Sequence, residues 1–173
     1  MPGKEGTTRF RFEPLGPAHD RAAFSCSVET HDNYLRKQAA QDVKKRVALA
    51  FVLTPDGKTV AGSYTLSQYA VELDAIPDAL AAKLPKYPSV PATLIGRLAV
   101  SNQFRGQGVD ELLLMDALHR CLTAGKQVAS AAVIVDAKDD RAAAFYKKHG
   151  FSELPKIPRR LLLPMATIGK LFS

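Results

Sequence analysis

An apolar run, Thr93 to Val100, leads through Ser101-Asn-Gln-Phe-Arg105-Gly-Gln-Gly108 into Val109 to Leu122, where apolar residues recur at helical spacing. This reads as a strand, a glycine-bearing turn and a helix stopped by Gly125. Glycines that open a helix let several backbone N–H groups point at one spot near the positive end of the helix dipole. That arrangement binds phosphate without side-chain cations. A tight strand-to-helix turn with no ligand carries the same pattern. The spacing fits neither the Walker loop nor the dinucleotide GxGxxG, and both are set aside.

The elements around this segment follow from local signals. Arg9-Phe10-Arg11-Phe12 alternates like a short strand after a loose tail at 1–8, and Pro14, Gly16 and Pro17 then break the chain. Residues 19–45 predict two short helices, the second N-capped by Asp32. Val47 to Thr54 and Val60 to Val71 predict a hairpin about the turn Pro55-Asp56-Gly57-Lys58, with Gly62 marking a bulge or close backbone approach. Pro77, Pro85, Pro88 and Pro91 exclude a long regular element over 74–91, although Ala79 to Ala82 can make one helical turn. Val128 to Val135 predicts a buried strand. A helix capped by Asp139 or Asp140 and closed by Gly150 follows, and Phe151 and Arg160 to Leu163 supply the last strands. The order implies one α+β, or mixed α/β, domain over residues 1–173 around a single sheet.

Composition narrows the class. With 173 residues, 46% hydrophobic and 24% charged, the chain is an ordinary globular domain, able to bury roughly two-thirds of its unfolded surface without a staple. Cys26 and Cys121 sit in no metal-ligand spacing, so no metal is expected and two plain thiols in a reducing compartment are. No apolar stretch reaches the roughly 18 residues of a membrane span, and the first residues lack a signal-peptide core, which makes a soluble cytoplasmic protein the expectation. The net charge of +7 favours a polyanionic partner. Arg36, Lys37, Lys44, Lys45 and Arg46 form one basic cluster, and Lys156, Arg159 and Arg160 another. Either could contact nucleic-acid phosphates, meet an acidic protein, or simply be a solvated face.

A second motif, Asp136-Ala-Lys-Asp139-Asp-Arg-Ala142-Ala-Ala-Phe145-Tyr146-Lys-Lys-His-Gly150-Phe151, follows the glycine turn. Together the two segments resemble the GNAT N-acetyltransferases: the first their (Arg/Gln)-x-x-Gly-x-(Gly/Ala) pyrophosphate loop, the second their A-x-x-FY-x-x-x-GF signature. Tyr34 to Ala39, Ala61 to Leu66, Gly96 to Val100 and Arg160 to Met165 further resemble the GNAT toxins of toxin–antitoxin pairs, which acetylate the α-amino group of aminoacyl-tRNA. The resemblance implies a mostly antiparallel twisted sheet flanked by helices, acetyl-CoA as donor, a ribbon-helix-helix antitoxin and a homodimer. It places Leu98, Ala99 and Val100 along the pantetheine arm, with backbone hydrogen bonds from Leu98 and Val100. It sets Arg105, Gly106, Gln107, Gly108, Val109 and Asp110 around the pyrophosphate. Asp139 falls near the cofactor, where a helix N-cap is the competing role. Tyr146 becomes the residue that protonates the departing thiolate, against the alternative of a core aromatic.

Two features bear on activity. The family's last loop position is Gly or Ala, and here it is Asp110. Like charges about 4 Å apart repel by roughly 4 kcal/mol at an effective dielectric of 20, and half of that weakens binding more than tenfold. Second, an α-amine deprotonates about 2.5 units below lysine, roughly 3.5 kcal/mol more easily. His19, His31, His119 and His149 all lie away from the predicted strand ends, and Glu72 and Asp74 read equally as loop charges, so no clear base is present. This favours an α-amine acceptor. The alternatives are a GNAT-fold binding module disabled by Asp110, or an acetyltransferase for a small-molecule or protein amine.

Overall fold

The turn at Asp56 sets the first register. Its Oδ1 accepts from the backbone N–H groups of Lys58 at 2.9 Å and Thr59 at 2.7 Å, and Gly57 takes φ 82°. The chain thereby reverses between β2 (Leu49–Thr54) and β3 (Gly62–Glu72), which pair antiparallel from Leu49↔Leu66 to Leu53↔Gly62. β1 (Arg11–Pro14) pairs antiparallel with β2. Pro14, expected to break the chain, is instead its last residue; an edge strand tolerates a missing donor. The computed structural model describes residues 10–84 and 86–173, so the expected tail at 1–8, Arg9 and Pro85 lie outside the described residues.

Helix α1 (Glu29–Asn33), a π-helical turn (Tyr34–Gln38) and α2 (Ala39–Lys44) run on without interruption. The first helix starts at Glu29, not near residue 19. Asp32, expected as an N-cap, lies buried inside α1 and accepts from the Cys26 N–H at 2.9 Å. The carboxylate satisfies a loop amide rather than a helix end, a choice local sequence does not reveal.

Further along, α3 (Asp78–Ala81) is the single expected turn, and β4 (Ser89–Val100) begins earlier than expected with Pro91 inside it. Proline removes only a donor; the Pro91 carbonyl still accepts from Ala131 N–H at 2.8 Å. Then come α4 (Val109–Ala124), β5 (Ala132–Asp136), α5 (Asp140–Lys148), β6 (Ser152–Glu153), β7 (Arg160–Pro164) and α6 (Met165–Leu171). β5 starts four residues later than expected, with Val128 left exposed in the preceding turn. α6 was not expected, because Pro164 precedes it and Gly169 lies within it, both weak helix signals; its Ile168 is fully buried.

The seven strands are hydrogen-bonded in the order β1-β2-β3-β4-β5-β7-β6, with β4 and β5 parallel and β5·β7 and β6·β7 antiparallel. This is the mixed α+β sheet that the motif order implied. The chain divides into two compact units, Met1–Leu66 with Arg97–Asp116, and Ser67–Gly96 with Ala117–Ser173. The first is cored by Phe24, Cys26, Leu35, Val52, Val60 and Ala99, the second by Val71, Ile76, Val90, Ile134, Leu154 and Leu162. Among the described residues no helix is long and apolar enough to cross a membrane.

Candidate active site

In the first unit, the end of β4 carries the residues expected along the pantetheine arm. Arg97 takes φ 51°, a left-handed conformation inside a strand, and the parallel ladder of β4 with β5 runs only as far as Ile95↔Val135. β4 continues for Leu98, Ala99 and Val100, of which Ala99 is buried and its neighbours half-buried. Ser101 N–H to Ala61 O and Asn102 N–H to Ser25 O, both 2.8 Å, anchor the segment. Gly62 shows the expected close approach: a Cβ there would sit 2.7 Å from Leu113 Cδ1 and 3.0 Å from the Ala99 carbonyl oxygen.

The glycines of the loop serve conformation rather than space. Gly106 and Gly108 have φ 75° and 73°, and a Cβ on either would meet nothing within 4 Å. Gln107 is exposed, Val109 is buried, and Arg105 is turned back, donating from Nη2 to the Cys26 carbonyl at 2.8 Å. The loop therefore opens the 16-residue α4 with its backbone to solvent, as phosphate binding requires. Asp110 alters this surface. Its exposed carboxylate accepts from the Glu111 N–H at 2.9 Å, occupying one of the amides at the positive helix end.

The second unit carries Tyr146. It is buried on α5, with its ring edge-on to Phe145 (centroids 5.3 Å apart) and to Phe151 (5.5 Å). Burial, and secondarily the charge of Asp136, raise its pKa well above that of a free phenol, so the hydroxyl keeps its proton. Among the described residues that hydroxyl has no hydrogen-bond partner in the protein. A buried phenol of this kind can pack as a core aromatic while its O–H remains available to a ligand. Asp139 is the N-cap of α5, accepting from Ala142 N–H at 2.8 Å.

The cations behave unequally. Arg36 donates to the Phe24 carbonyl at 2.6 Å, whereas Lys37, Lys44, Lys45 and Arg46 are exposed. Lys156 pairs with Asp74 at 3.8 Å and Arg159 with Asp140 at 3.2 Å. Arg160 holds Asp136 with two bonds, Nε to Oδ1 at 2.7 Å and Nη2 to Oδ2 at 2.9 Å, while Nη1 donates to the Tyr69 hydroxyl. Asp136 and Arg160 both stand out in the sequence, but nothing local pairs them. The available signal was opposite charge at the ends of two strands, but their cross-strand register became visible only in the fold.

Arg97 and Tyr34 lie in segments that carry the resemblance but had no expected role in the site. Arg97 stacks its guanidinium 3.7 Å from the Tyr34 ring centroid, and the Tyr34 hydroxyl donates to Asp42 at 2.8 Å. Burial first, then that bond, pushes the Tyr34 pKa up to about 12. The histidines are committed elsewhere where their bonds are defined. His19 is buried, with Nε2 2.7 Å from Glu13 Oε1 and Nδ1 accepting from Gly16 N–H; His149 Nδ1 lies 2.9 Å from the Phe145 carbonyl.

A family model described as an acetyltransferase (GNAT) domain matches residues 48–153. A probable toxin TacT of Sinorhizobium fredii (strain NBRC 101917 / NGR234) is 34% identical over 177 residues, spanning 97% of this chain and 98% of its own. A tRNA-acetylating toxin of Mycobacterium tuberculosis (strain ATCC 25618 / H37Rv) is 34% identical over 151 residues, 87% of this chain and 89% of its own. Among solved structures, AtaT complexed with acetyl-methionyl-tRNAfMet superposes with a TM-score of 0.87 at 28% identity, over 95% of this chain and 99% of that one. AtaTR bound with AcCoA gives 0.83 at 26% identity, with the same coverage. The chain belongs to the GNAT acetyltransferase family, and it is similar over nearly its whole length to that family's toxins.

Proposed function

We propose that this enzyme is a toxin that transfers an acetyl group from acetyl-CoA directly to the α-amino group of an aminoacyl-tRNA. The similarity to a tRNA-acetylating toxin over 87% of the chain carries the reading. The open glycine loop and the buried, proton-bearing Tyr146 are the chemistry that such a reaction needs.

When bound, acetyl-CoA supplies a thioester carbonyl to the amine and a sulfur that must leave as a thiol. The residues of this chain do the rest. Leu98, Ala99 and Val100 offer strand backbone to the pantetheine amides, and the amides of residues 106–109 meet the pyrophosphate. Tyr146 holds a proton at its hydroxyl for the leaving sulfur. A free thiol has a pKa near 8.5, so a phenol can serve it as donor and recover its proton from the amine by way of water. An α-amine has roughly a tenth of its population free at pH 7, far more than a lysine, which suits a site for which His19 and His149 are bonded elsewhere.

The exposed cations Lys37, Lys44, Lys45 and Arg46, with Arg36 beside them, are the proposed contacts to the tRNA backbone, acting in the cytoplasm. A homodimer, and control by a ribbon-helix-helix antitoxin, complete the reading. A second reading is favoured by one observation: the Asp110 carboxylate already sits on the Glu111 N–H, as an anion would. On that reading coenzyme binding is impaired and the chain acts through its contacts alone.

The test is radiolabelled acetyl-CoA with a mixture of charged and uncharged tRNA, a polyamine and a lysine peptide. Label is expected on charged tRNA and absent from uncharged tRNA. Label on the polyamine or peptide alone overturns the proposal, and no coenzyme binding by calorimetry supports the impaired reading.

A further inference from the structure

Asp136 and Arg160 are cross-strand partners, the last residue of β5 and the first of β7. The guanidinium spends Nε and Nη2 on the two carboxylate oxygens and Nη1 on the Tyr69 hydroxyl, and it lies 4.9 Å from the centroid of the Tyr69 ring. The neighbouring pair differs: Arg159 reaches Asp140 through one contact, with side chains 47% and 94% exposed, against 17% for Arg160. A single exposed ion pair contributes little, whereas a two-pronged and partly buried one has fixed geometry and retains its charge compensation. The chain leaving Asp136 passes through Ala137, whose N–H donates to the Arg159 carbonyl at 2.8 Å, and enters α5 at its Asp139 cap. On that helix Tyr146 is buried against Phe151, the residue just before β6, and β6 pairs with β7.

We infer that Arg160 is a positioning residue for Tyr146: its two-pronged hold on Asp136 turns that carboxylate toward the guanidinium and offsets its charge near the buried phenol. The inference rests on Tyr146 as the proton donor. Negative charge develops on the departing sulfur as the phenol gives up its proton, and an uncompensated carboxylate nearby opposes both changes. The carboxylate already acts in that direction, since the charge of Asp136 adds to burial in raising the Tyr146 pKa. Without Arg160 the opposition grows. The arrangement also explains why this arginine, expected among the phosphate contacts, is turned to an internal partner.

The experiment compares Arg160→Gln with the double variant Arg160→Gln/Asp136→Asn. Both are measured in the full chain and in its Asp110→Gly form, so that the loop charge does not limit the assay. Arg160→Gln should lower kcat about tenfold, the equivalent of one pKa unit of differential interaction, with KM for acetyl-CoA nearly unchanged. Removing the stranded carboxylate in the double variant should recover most of that loss. A role confined to holding the fold predicts no recovery, because the double variant lacks the clamp too. Full activity in Arg160→Gln, or a double variant no better than the single one, overturns the inference. Tyr146→Phe in the same assay separates the two ideas: if it turns over normally the donor assignment fails, whereas an inert Tyr146→Phe beside an unaffected Arg160→Gln removes only the clamp.

Discussion

Asp110 and Asp136 are both carboxylates at the end of a secondary-structure element, and they meet opposite fates. Asp110 lies in the first turn of α4, the helix that the glycine loop opens, and is exposed to solvent. Its partner is a backbone amide one residue away. Asp136 ends β5 and is gripped by a guanidinium from another strand, which offsets its charge where it stands. The loop is built of backbone and conformation, with glycines at φ 75° and 73° and no neighbour within 4 Å of a Cβ. The foot of α5 is built of side chains brought together by strand register. One region is tuned by what its residues are, the other by what lies across from them.

This contrast can be broken by substitution. The largest effect is expected for Tyr146→Phe, which removes the proton but keeps the ring. Turnover should fall at least ~100-fold with KM for acetyl-CoA little changed, as measured by steady-state acetylation. Asp110→Gly comes next. Calorimetry should show acetyl-CoA binding at least ~10-fold tighter, the consequence of removing about half of a 4 kcal/mol repulsion. Unchanged affinity would mean that the carboxylate costs the loop nothing. Gly62→Ala tests space instead of charge. With Leu113 Cδ1 at 2.7 Å and the Ala99 oxygen at 3.0 Å from the new Cβ, the fold should lose about 1–3 kcal/mol in a denaturant titration. Asp139→Ala should show the smallest change, about 1 kcal/mol for one lost N-cap, with acetyl-CoA affinity held. A marked loss of affinity would restore Asp139 to the coenzyme site.

Legibility followed the range of the interaction. The Pro55-Asp56-Gly57-Lys58 turn, the helix from Val109, the cap at Asp139 and the glycine at 150 were readable because each is satisfied within a few residues. Asp32 misled for the complementary reason. It has the chemistry of an N-cap, but a loop amide six residues earlier claims it. Pro91 reads as a strand breaker, yet its carbonyl still serves the ladder. The loop Arg105–Asp110 stood out because left-handed backbone demands glycine, and that demand is written in the chain. Tyr146 stood out through its motif, with a core aromatic as the competing role; its packing on Phe151 came only from the fold.

Sequence sufficed wherever the governing contact is local or purely conformational: turn, cap, glycine loop and family motif. Folding decided the rest. Whether Arg160 meets a phosphate or Asp136, whether Arg97 points to solvent or stacks on Tyr34, and whether Tyr146 keeps its proton all depend on groups far apart along the chain. The physical reason is that charge and burial act through space, and strand register sets those distances without leaving a local trace in the order of residues.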